Sequence, residues 1–315
     1  MADNPRIYFA PLEGVTDAVY RRAHGAAFPG VAKYYMPFVS PSRSMSFTVR
    51  EASDLSPEKN RGIRAVPQVL AREGDLAAQM IRVLADQGYP EVNLNLGCPV
   101  GTVTGKGKGS AMLRDVDGLR RFLDQVYAAP PAQVSVKTRI GWESPEEWPA
   151  LLELFNRYPA RRLILHPRSR AEQYGGSPHR EWYDYTLRES KLPVCYNGDL
   201  FTAEALREFE RRYPGTESVM CGRGFLYHPG LVNLYNGKTE SVEALRRFHQ
   251  MLYDGYRAQI GTEAFVLCKM KEVWACLGKG MGLGPKTLKA IHKSMRYPAF
   301  ETAVDNAFAE FATRA

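Results

Sequence analysis

Cys98 is the side chain with the clearest potential for chemistry in this sequence. Within residues 91–113 (EVNLNLGCPVGTVTGKGKGSAML), apolar and polar residues alternate up to Leu96, a pattern that is typical of a half-buried strand. The alternation stops at Gly97, and four more glycines follow Cys98 before helical sequence resumes. The sequence therefore predicts a thiol on a glycine-rich loop at the carboxyl end of a strand.

The Cys98 thiol has three interpretations at this stage. Free cysteine is often a small buried hydrophobe. A nucleophilic cysteine needs a nearby base and a lowered pKa, and the local sequence contains no paired histidine. A neutral thiol with an ordinary pKa keeps its proton at pH 7 and can donate it to carbon as a general acid. The glycine-rich loop favours a mobile catalytic thiol over a buried one.

Lys137 lies near the end of another predicted strand, residues 134–140. An amine in this position is partly desolvated unless an anionic group faces it. A flavin meets that need, because reduced flavin carries negative charge that a fixed cation stabilises. A Schiff-base lysine is the alternative chemistry, and the spacing of the residues does not separate the two.

Two glycine turns follow the seventh and eighth predicted strands. Asn197, Gly198 and Asp199 form the first turn, and Gly222 and Arg223 belong to the second. Barrels of alternating strands and helices commonly bind phosphate at these two loops. Glycine lets backbone N–H groups approach an anion, and arginine adds a charge-assisted contact. We therefore expect a phosphorylated ligand.

Eight strand-helix pairs would position these residues. The strands are predicted at residues 7–11, 31–39, 65–70, 91–96, 134–140, 162–166, 193–196 and 218–221. Thr16 or Asp17 would cap the first helix and Thr202 the seventh, whereas residues 40–64 read as a long polar loop. Short strands that are apolar on both faces indicate an α/β fold with a closed TIM (β/α)8 barrel rather than an open sheet. The carboxyl rim of that barrel would gather Pro11, Gln68, Asn95, Cys98, Lys137, Arg139, His166, Asn197 and Arg223.

The chain beyond the barrel is predicted to be helical. From about residue 239 apolar residues recur every three or four positions and no further strand pattern appears. We therefore expect a barrel domain over residues 1–238 and a small all-α domain over residues 239–315. The helical part surrounds a flexible glycine run at 278–284, and its basic residues include Lys269, Lys271, Lys279, Lys286, Lys289, Lys293 and Arg296.

Composition narrows the class of protein. The formal charge of +8 mildly favours a polyanionic partner. No apolar run approaches the roughly 20 residues that span a bilayer, and the first residues do not resemble a signal peptide. The five cysteines form no CxxC pair and the six histidines no HExxH motif, so we expect reduced thiols, a soluble cytoplasmic protein and no metal site. A monomer is expected.

The motifs together resemble the tRNA-dihydrouridine synthases. The resemblance rests on an ordered set, which is APLEGVTD at 10–17, PQVL at 67–70, NLGCP at 95–99 followed by GKGKGSAML, VKTRIGW at 136–142, HPRSRAEQYGG at 166–176, NGD at 197–199 and GRG at 222–224. Any single motif is weak, but the set runs from Ala10 to about Gly224 in the order and spacing of the family. Two departures are Leu12, where methionine is frequent, and Ser169, where threonine usually follows arginine.

The resemblance implies a flavin mononucleotide (FMN) enzyme that uses NADPH to reduce the 5,6 double bond of particular uridines in tRNA. It implies hydride transfer from flavin N5 to uracil C6 and proton transfer from Cys98 to C5. The basic helical domain would bind the tRNA. The implied FMN contacts are Pro11, Leu12 and Gln68 on the isoalloxazine, Lys137 and His166 on its pyrimidine edge, and Asn197, Gly198, Asp199, Gly222 and Arg223 on the phosphate. Asn95, Arg139 and Tyr174 would orient the uracil.

Two other functions remain open from the sequence. A flavin barrel could reduce a free pyrimidine or another small molecule, which would leave the basic tail without a role. A folded barrel could also bind RNA without turnover. Loss of product in a Cys98 variant and binding of tRNA that weakens with salt would separate these alternatives.

Overall fold

Eight parallel strands form a closed barrel in the computed structural model, which describes residues 5–313. Each strand pairs with the next along the chain, and the last pairs with the first, so the predicted barrel is confirmed. The strands are β1 Arg6–Phe9, β2 Lys33–Val39, β3 Ala65–Val69, β4 Glu91–Leu96, β5 Gln133–Gly141, β6 Leu163–Ser169, β7 Val194–Tyr196 and β8 Ser218–Cys221.

Helices surround the barrel and continue beyond it. They are α1 Ala18–Ala27, α2 Val49–Asp54, α3 Gly74–Asp86, α4 Gly101–Thr104, α5 Val116–Tyr127, α6 Trp148–Phe155, α7 Arg180–Glu189, α8 Ala203–Arg212, α9 Arg223–Tyr227, α10 Leu231–Tyr235, α11 Val242–Ile260, α12 Glu263–Gly280, α13 Pro285–Lys293 and α14 Tyr297–Ala312. Short 3-10 helices occupy Gly109–Arg114 and Pro145–Glu147. None of the helices within residues 5–313 is long and apolar enough to cross a membrane.

The predicted helix caps are found where the side chains can accept backbone N–H bonds. Asp17 caps α1 by accepting from the Tyr20 N–H, and Thr202 caps α8 by accepting from the Ala205 N–H. Thr16 instead braces the turn before α1, because its Oγ1 accepts from the Leu12 N–H at 2.9 Å.

The long polar loop predicted for residues 40–64 contains a helix, α2, so that prediction was too simple. Thr48 and Glu51 form a capping box at its start. Tertiary contacts hold the segment, since Asp54 Oδ1 accepts from the Ala18 N–H at 2.5 Å and pairs with the buried Arg21 at 3.3 Å. The segment is therefore fixed to the amino terminus of α1.

Strand β6 runs three residues past its predicted end at His166. Arg139 pairs with His166 and Gly141 pairs with Ser169, with a register shift between the two pairs. Such a bulge lets β6 carry Pro167, which cannot donate to a regular ladder.

The barrel interior is apolar in its middle. Tyr8, Tyr35, Val66, Ile164, Cys195 and Met220 belong to one buried cluster there. Lys33 and Glu91 form a buried ion pair among the first residues of β2 and β4. The amino end of the barrel is therefore filled by buried side chains.

The helical region α11–α14 packs against the β1–α1 side of the barrel. Tyr256 donates its hydroxyl to Asp17 Oδ1 at 3.2 Å, and the Lys269 ammonium donates to the Gly14 carbonyl. The prediction of a flexible glycine run was wrong at its start, because Gly278 and Gly280 lie inside α12. A Cβ on Gly280 would be 1.8 Å from the Tyr227 carbonyl oxygen, so this glycine is needed for close packing of α12 on α9.

Candidate functional site

One cleft at the carboxyl rim is lined by ten of the residues singled out from the sequence. They are Pro11, Leu12, Lys137, His166, Tyr174, Asn197, Gly198, Asp199, Gly222 and Arg223. Strand register places two of the other predicted residues beside it, since Asn95 pairs with Lys137 and Arg139 pairs with His166. No cluster of three His, Cys, Asp or Glu side chains able to hold a metal occurs within residues 5–313.

Hydrogen bonds from both sides hold the turn that carries Cys98. Asn95 Oδ1 accepts from the backbone N–H groups of Gly97 at 3.1 Å and Cys98 at 2.9 Å. The Cys98 carbonyl in turn accepts from the Ser110 N–H at 3.1 Å and the Ser110 Oγ at 2.8 Å. Four hydrogen bonds therefore hold the turn, and the expectation of a mobile thiol stays a prediction.

The Cys98 thiol is half-buried and protonated. Burial raises the pKa of this thiol above its usual value and outweighs the opposing charges of Lys137 and Arg139 nearby. A general acid requires the neutral thiol, which carries the proton, whereas a nucleophile requires the thiolate. The raised pKa therefore argues against the nucleophile and is consistent with both the general acid and the buried hydrophobe.

Gly109 supports the cysteine turn and provides a test of it. Its φ of +62° is left-handed, and a Cβ there would be 2.8 Å from the Cys98 carbonyl oxygen. We expect Gly109→Ala to destabilise the fold by about 1–2 kcal/mol through the strained φ and to slow catalysis by displacing the turn. Thermal unfolding and turnover measure the two effects.

The control for Gly109 is Gly62→Ala. Gly62 also has a positive φ, +86°, but nothing lies within 4 Å of a Cβ placed there. This variant should lose stability and keep its activity. Equal turnover in the two variants would show that the Gly109 contact does not position Cys98.

Lys137 is a cation that faces the cleft without a counter-ion. Within residues 5–313 no hydrogen-bond acceptor or ion-pair partner contacts its ammonium group. Burial, with a smaller contribution from the Arg139 guanidinium, lowers the pKa of Lys137 to about 8. An anionic or carbonyl-bearing ligand would offset the free-energy cost of burying this charge.

His166 is a neutral imidazole in the cleft. Arg168 Nη1 donates to its Nε2 at 3.1 Å, and because arginine cannot accept, the imidazole proton lies on Nδ1. Burial lowers the pKa of His166 well below its usual value, and the nearby cations Arg139 and Lys137 lower it further. His166 can therefore donate a hydrogen bond from Nδ1 without carrying charge.

Asp199 has its negative charge neutralised by two arginines. Arg168 donates to its two carboxylate oxygens at 3.1 and 2.5 Å, and Arg223 donates to Oδ1 at 2.8 Å. The carboxylate therefore orients Arg223, whose guanidinium also stacks on Phe201 at 4.6 Å. Sequence reasoning missed the role of Arg168, although the motif HPRSR contains it.

Backbone groups of the two glycine turns are available to an anion. Within residues 5–313 the backbone N–H groups of Gly198, Asp199, Gly222 and Arg223 have no protein acceptor. The Asn197 side chain is used differently, because its Nδ2 donates to the Met220 carbonyl at 2.8 Å and ties β7 to β8. The turns therefore offer amides and one arginine, and Asn197 holds them together.

The three residues predicted to orient a substrate differ in their surroundings. Arg139 donates to the carbonyls of Gly97 at 3.0 Å and Ser169 at 2.8 Å, so it braces the cysteine turn. Asn95 is likewise occupied by that turn. Tyr174 is 57% exposed, and its ring lies 5.3 Å from the Arg139 guanidinium and 5.1 Å from that of Arg223. Tyr174 is thus an open aromatic surface above two cations.

Comparisons with known proteins give one family. The model of the dihydrouridine synthase (Dus) family matches residues 8–289. A probable tRNA-dihydrouridine synthase 1 of Synechocystis is 33% identical over 231 residues, which cover 72% of this chain and 63% of that relative. The tRNA-dihydrouridine(16) synthase of Pseudomonas putida is 28% identical over 234 residues, 72% of each chain.

The solved structures that resemble this chain share its fold alone. A 2-naphthoyl-CoA reductase complex superimposes with a TM-score of 0.52 at 12% identity, over 74% of this chain and 50% of that chain. At this identity the similarity concerns the barrel and not the ligand.

Proposed function

Because the chain belongs to the dihydrouridine synthase family, we propose that it reduces the C5=C6 bond of specific uridines in tRNA, with FMN as its cofactor and NADPH as the reductant. The observation that carries the proposal is that the Cys98 thiol and the Lys137 ammonium, which has no ion-pair partner within residues 5–313, lie near enough at the carboxyl rim to influence each other's pKa. When bound, reduced FMN supplies the hydride that reaches uracil C6.

The cleft residues fit a flavin mononucleotide. Lys137 would face the electron-rich pyrimidine edge of the ring system, and His166 would donate to it from Nδ1. Pro11 and Leu12 would offer an apolar edge to the ring system. The four free backbone amides of the glycine turns, with Arg223, would hold the phosphate. Gln68 does not line the cleft, because it is fully buried and its amide bonds Asn95 and Asn93, so its contact with the cofactor stays a prediction.

Cys98 would act as the general acid. Uracil C6 accepts hydride only when the charge that develops toward C5 and the C4 carbonyl is neutralised, and a positioned proton donor does this. The raised pKa of the Cys98 thiol keeps its proton available at neutral pH. We propose that Asn95 and Arg139 act through the cysteine turn and that Tyr174 packs against the incoming base.

The helical region would hold the tRNA. Residues 264–300 contain seven basic side chains and one acidic side chain, Glu272. Lys286, Lys289 and Lys293 are exposed on α13 and form no ion pair within residues 5–313. Lys269 is an exception to the predicted RNA contacts, because its ammonium bonds the Gly14 carbonyl. Phosphate contacts would offset the cost of about a few kcal/mol for unstacking the target base.

The direct test is turnover on tRNA that lacks dihydrouridine. NADPH oxidation should require this tRNA, and dihydrouridine should appear at defined positions when the product is mapped. Oxidation that depends on free uridine or uracil and is indifferent to tRNA would favour the small-molecule alternative. Binding of tRNA with no NADPH oxidation would favour the role without turnover.

We expect a triple alanine variant of Lys286, Lys289 and Lys293 to bind tRNA more weakly and with a smaller salt dependence. If each lysine contacts one phosphate, the slope of log K against log salt should fall by about 2 in magnitude. Gel shift or filter binding at several salt concentrations measures it.

The matched control removes three exposed cations from the amino end of the barrel. Arg61, Arg161 and Lys191 precede β3, β6 and β7, are exposed, and form no ion pair within residues 5–313. Their triple alanine variant should leave the slope unchanged. If both triple variants shift the slope equally, α13 is not a specific RNA contact.

A further inference from the structure

A chain of buried side-chain hydrogen bonds runs across three strands to the cysteine turn. Asn95 Nδ2 donates to Gln68 Oε1 at 2.7 Å, and Gln68 Nε2 donates to Asn93 Oδ1 at 2.8 Å. Asn93 Nδ2 donates to Ser135 Oγ at 2.9 Å. Gln68, Asn93 and Ser135 are each 0% exposed. We call these four residues the amide chain.

The amide chain admits one orientation of each amide group. Asn95 Oδ1 accepts the backbone N–H groups of Gly97 and Cys98, so Nδ2 must point to Gln68. Gln68 must then present its oxygen to Asn95 and its nitrogen to Asn93. Asn93 must present its nitrogen to Ser135. The backbone N–H groups of Gly97 and Cys98 thus set the direction of the whole chain, and the Ser135 hydroxyl is the acceptor at its far end.

The strand register shows that the chain is built into the sheet. Gln68 pairs with Asn93, and Asn93 pairs with Ser135, so three neighbouring strands contribute one residue each to a single row. Asn93 and Asn95 are two residues apart on β4 and share a face, while Leu94 and Leu96 belong to the outer core.

Buried amides cost stability unless they are hydrogen-bonded, and a hydrogen-bonded row adds little stability over an apolar one. The rest of the barrel interior is largely filled by apolar groups such as Val66, Ile164 and Met220. An apolar row of the same shape would be nearly neutral for stability, because both partners of each hydrogen bond would be absent. The chain ends, however, on the two backbone N–H groups that shape the Cys98 turn.

We propose that Asn93 and Ser135 are positioning residues for Cys98, which they reach through Gln68 and Asn95. They contact neither the thiol nor the cleft. Their effect is to hold the Asn95 side chain in place from the side opposite the turn. This role rests on the proposed function only for its kinetic consequence, since the reactivity of the thiol can be measured without the substrate.

The first test replaces the terminal acceptor, Ser135→Ala. Without it Asn93 Nδ2 is buried without this acceptor, so we expect Asn93 to shift and Gln68 and Asn95 to follow, which would displace the Cys98 turn. We expect kcat for dihydrouridine formation to fall about tenfold with KM for tRNA unchanged. The matched control is Ser218→Ala, because Ser218 is also fully buried and its Oγ accepts one bond, from Arg162 at 2.9 Å, near the other end of the barrel.

The second readout does not need the substrate. Iodoacetamide labelling, followed by mass spectrometry, gives the alkylation rate of Cys98 relative to the exposed Cys268 in the same sample. Ser135→Ala should change this ratio at least severalfold, and Ser218→Ala should leave it as in the parent protein. A ratio that stays constant in Ser135→Ala overturns the proposal. A changed ratio in a protein that forms no dihydrouridine would keep the positioning role and reject the proposed reaction.

Discussion

Replacing Cys98 with alanine is expected to lower dihydrouridine formation by about 10²–10⁴-fold, the usual contribution of a general acid. The loss should appear in kcat, because the thiol would act on the reacting carbon and not in the binding of tRNA. Bound FMN should be retained, since the cofactor is assigned to Lys137, His166 and the glycine turns. Quantifying dihydrouridine by mass spectrometry, with the flavin absorbance recorded for the same sample, measures both.

Cys268→Ala is the control for the cysteine variant. Cys268 is exposed on α12 and lies outside the barrel mouth. Its replacement should leave both product and flavin at the level of the parent protein. If Cys98→Ala retains product at that level, the proton comes from another group and the central role of the thiol is lost.

Replacing Lys137 with methionine is expected to remove most of the activity while making the cofactor-free protein more stable. Methionine keeps the length of the side chain and removes the charge, so the reduced flavin would lose its counter-ion. Loss of one preorganised electrostatic contact typically costs about 10²–10³-fold in kcat. The rate of flavin reduction by NADPH and the flavin content of the purified protein measure this.

The stability effect of Lys137 follows from its lowered pKa. The pKa of Lys137 is about 8 in the folded protein, which is below its pKa in the unfolded chain. At a pH between these two values the unfolded chain therefore binds one proton that the folded protein does not bind. Stability of the cofactor-free protein should therefore rise as pH increases through that window. Lys137→Met should abolish this part of the pH dependence and be more stable at neutral pH. A variant that is less stable at neutral pH would show that the ammonium is not an uncompensated charge.

Side-chain hydrogen bonds join the helical region to the barrel next to the cleft. Tyr256 and Lys269 contact the β1–α1 turn through Asp17 and Gly14, and that turn follows Pro11 and Leu12 of the cleft. A tRNA held on α13 would therefore be aligned against a fixed mouth. The proposed domain boundary between residues 238 and 239 falls between α10 and α11. Because the contacts described above cross this boundary, we propose it as a division of function and not as a physical separation.

The sequence alone determined the barrel, its rim and most of the residues in the cleft. Apolar alternation and helix caps such as Asp17 and Thr202 are local signals, and parallel strands joined by helices place every strand end on the same rim. The position of a residue on the rim could therefore be predicted from its distance to the end of a strand. The ordered motifs then identified the family.

Only the tertiary structure decided what each rim side chain does. Asn95 turned out to be occupied by the Cys98 turn that directly follows it. The partners of Arg139 and Asp199 instead lie on elements remote in sequence, since Arg139 bonds the carbonyls of Gly97 and Ser169 and Asp199 pairs with two arginines. The helix in residues 40–64 begins with a local capping box, but its attachment to α1 through Asp54 is tertiary, and Gly280 of α12 is explained by the approach of α9. Such contacts depend on distances between elements, and no local pattern of residues encodes those distances.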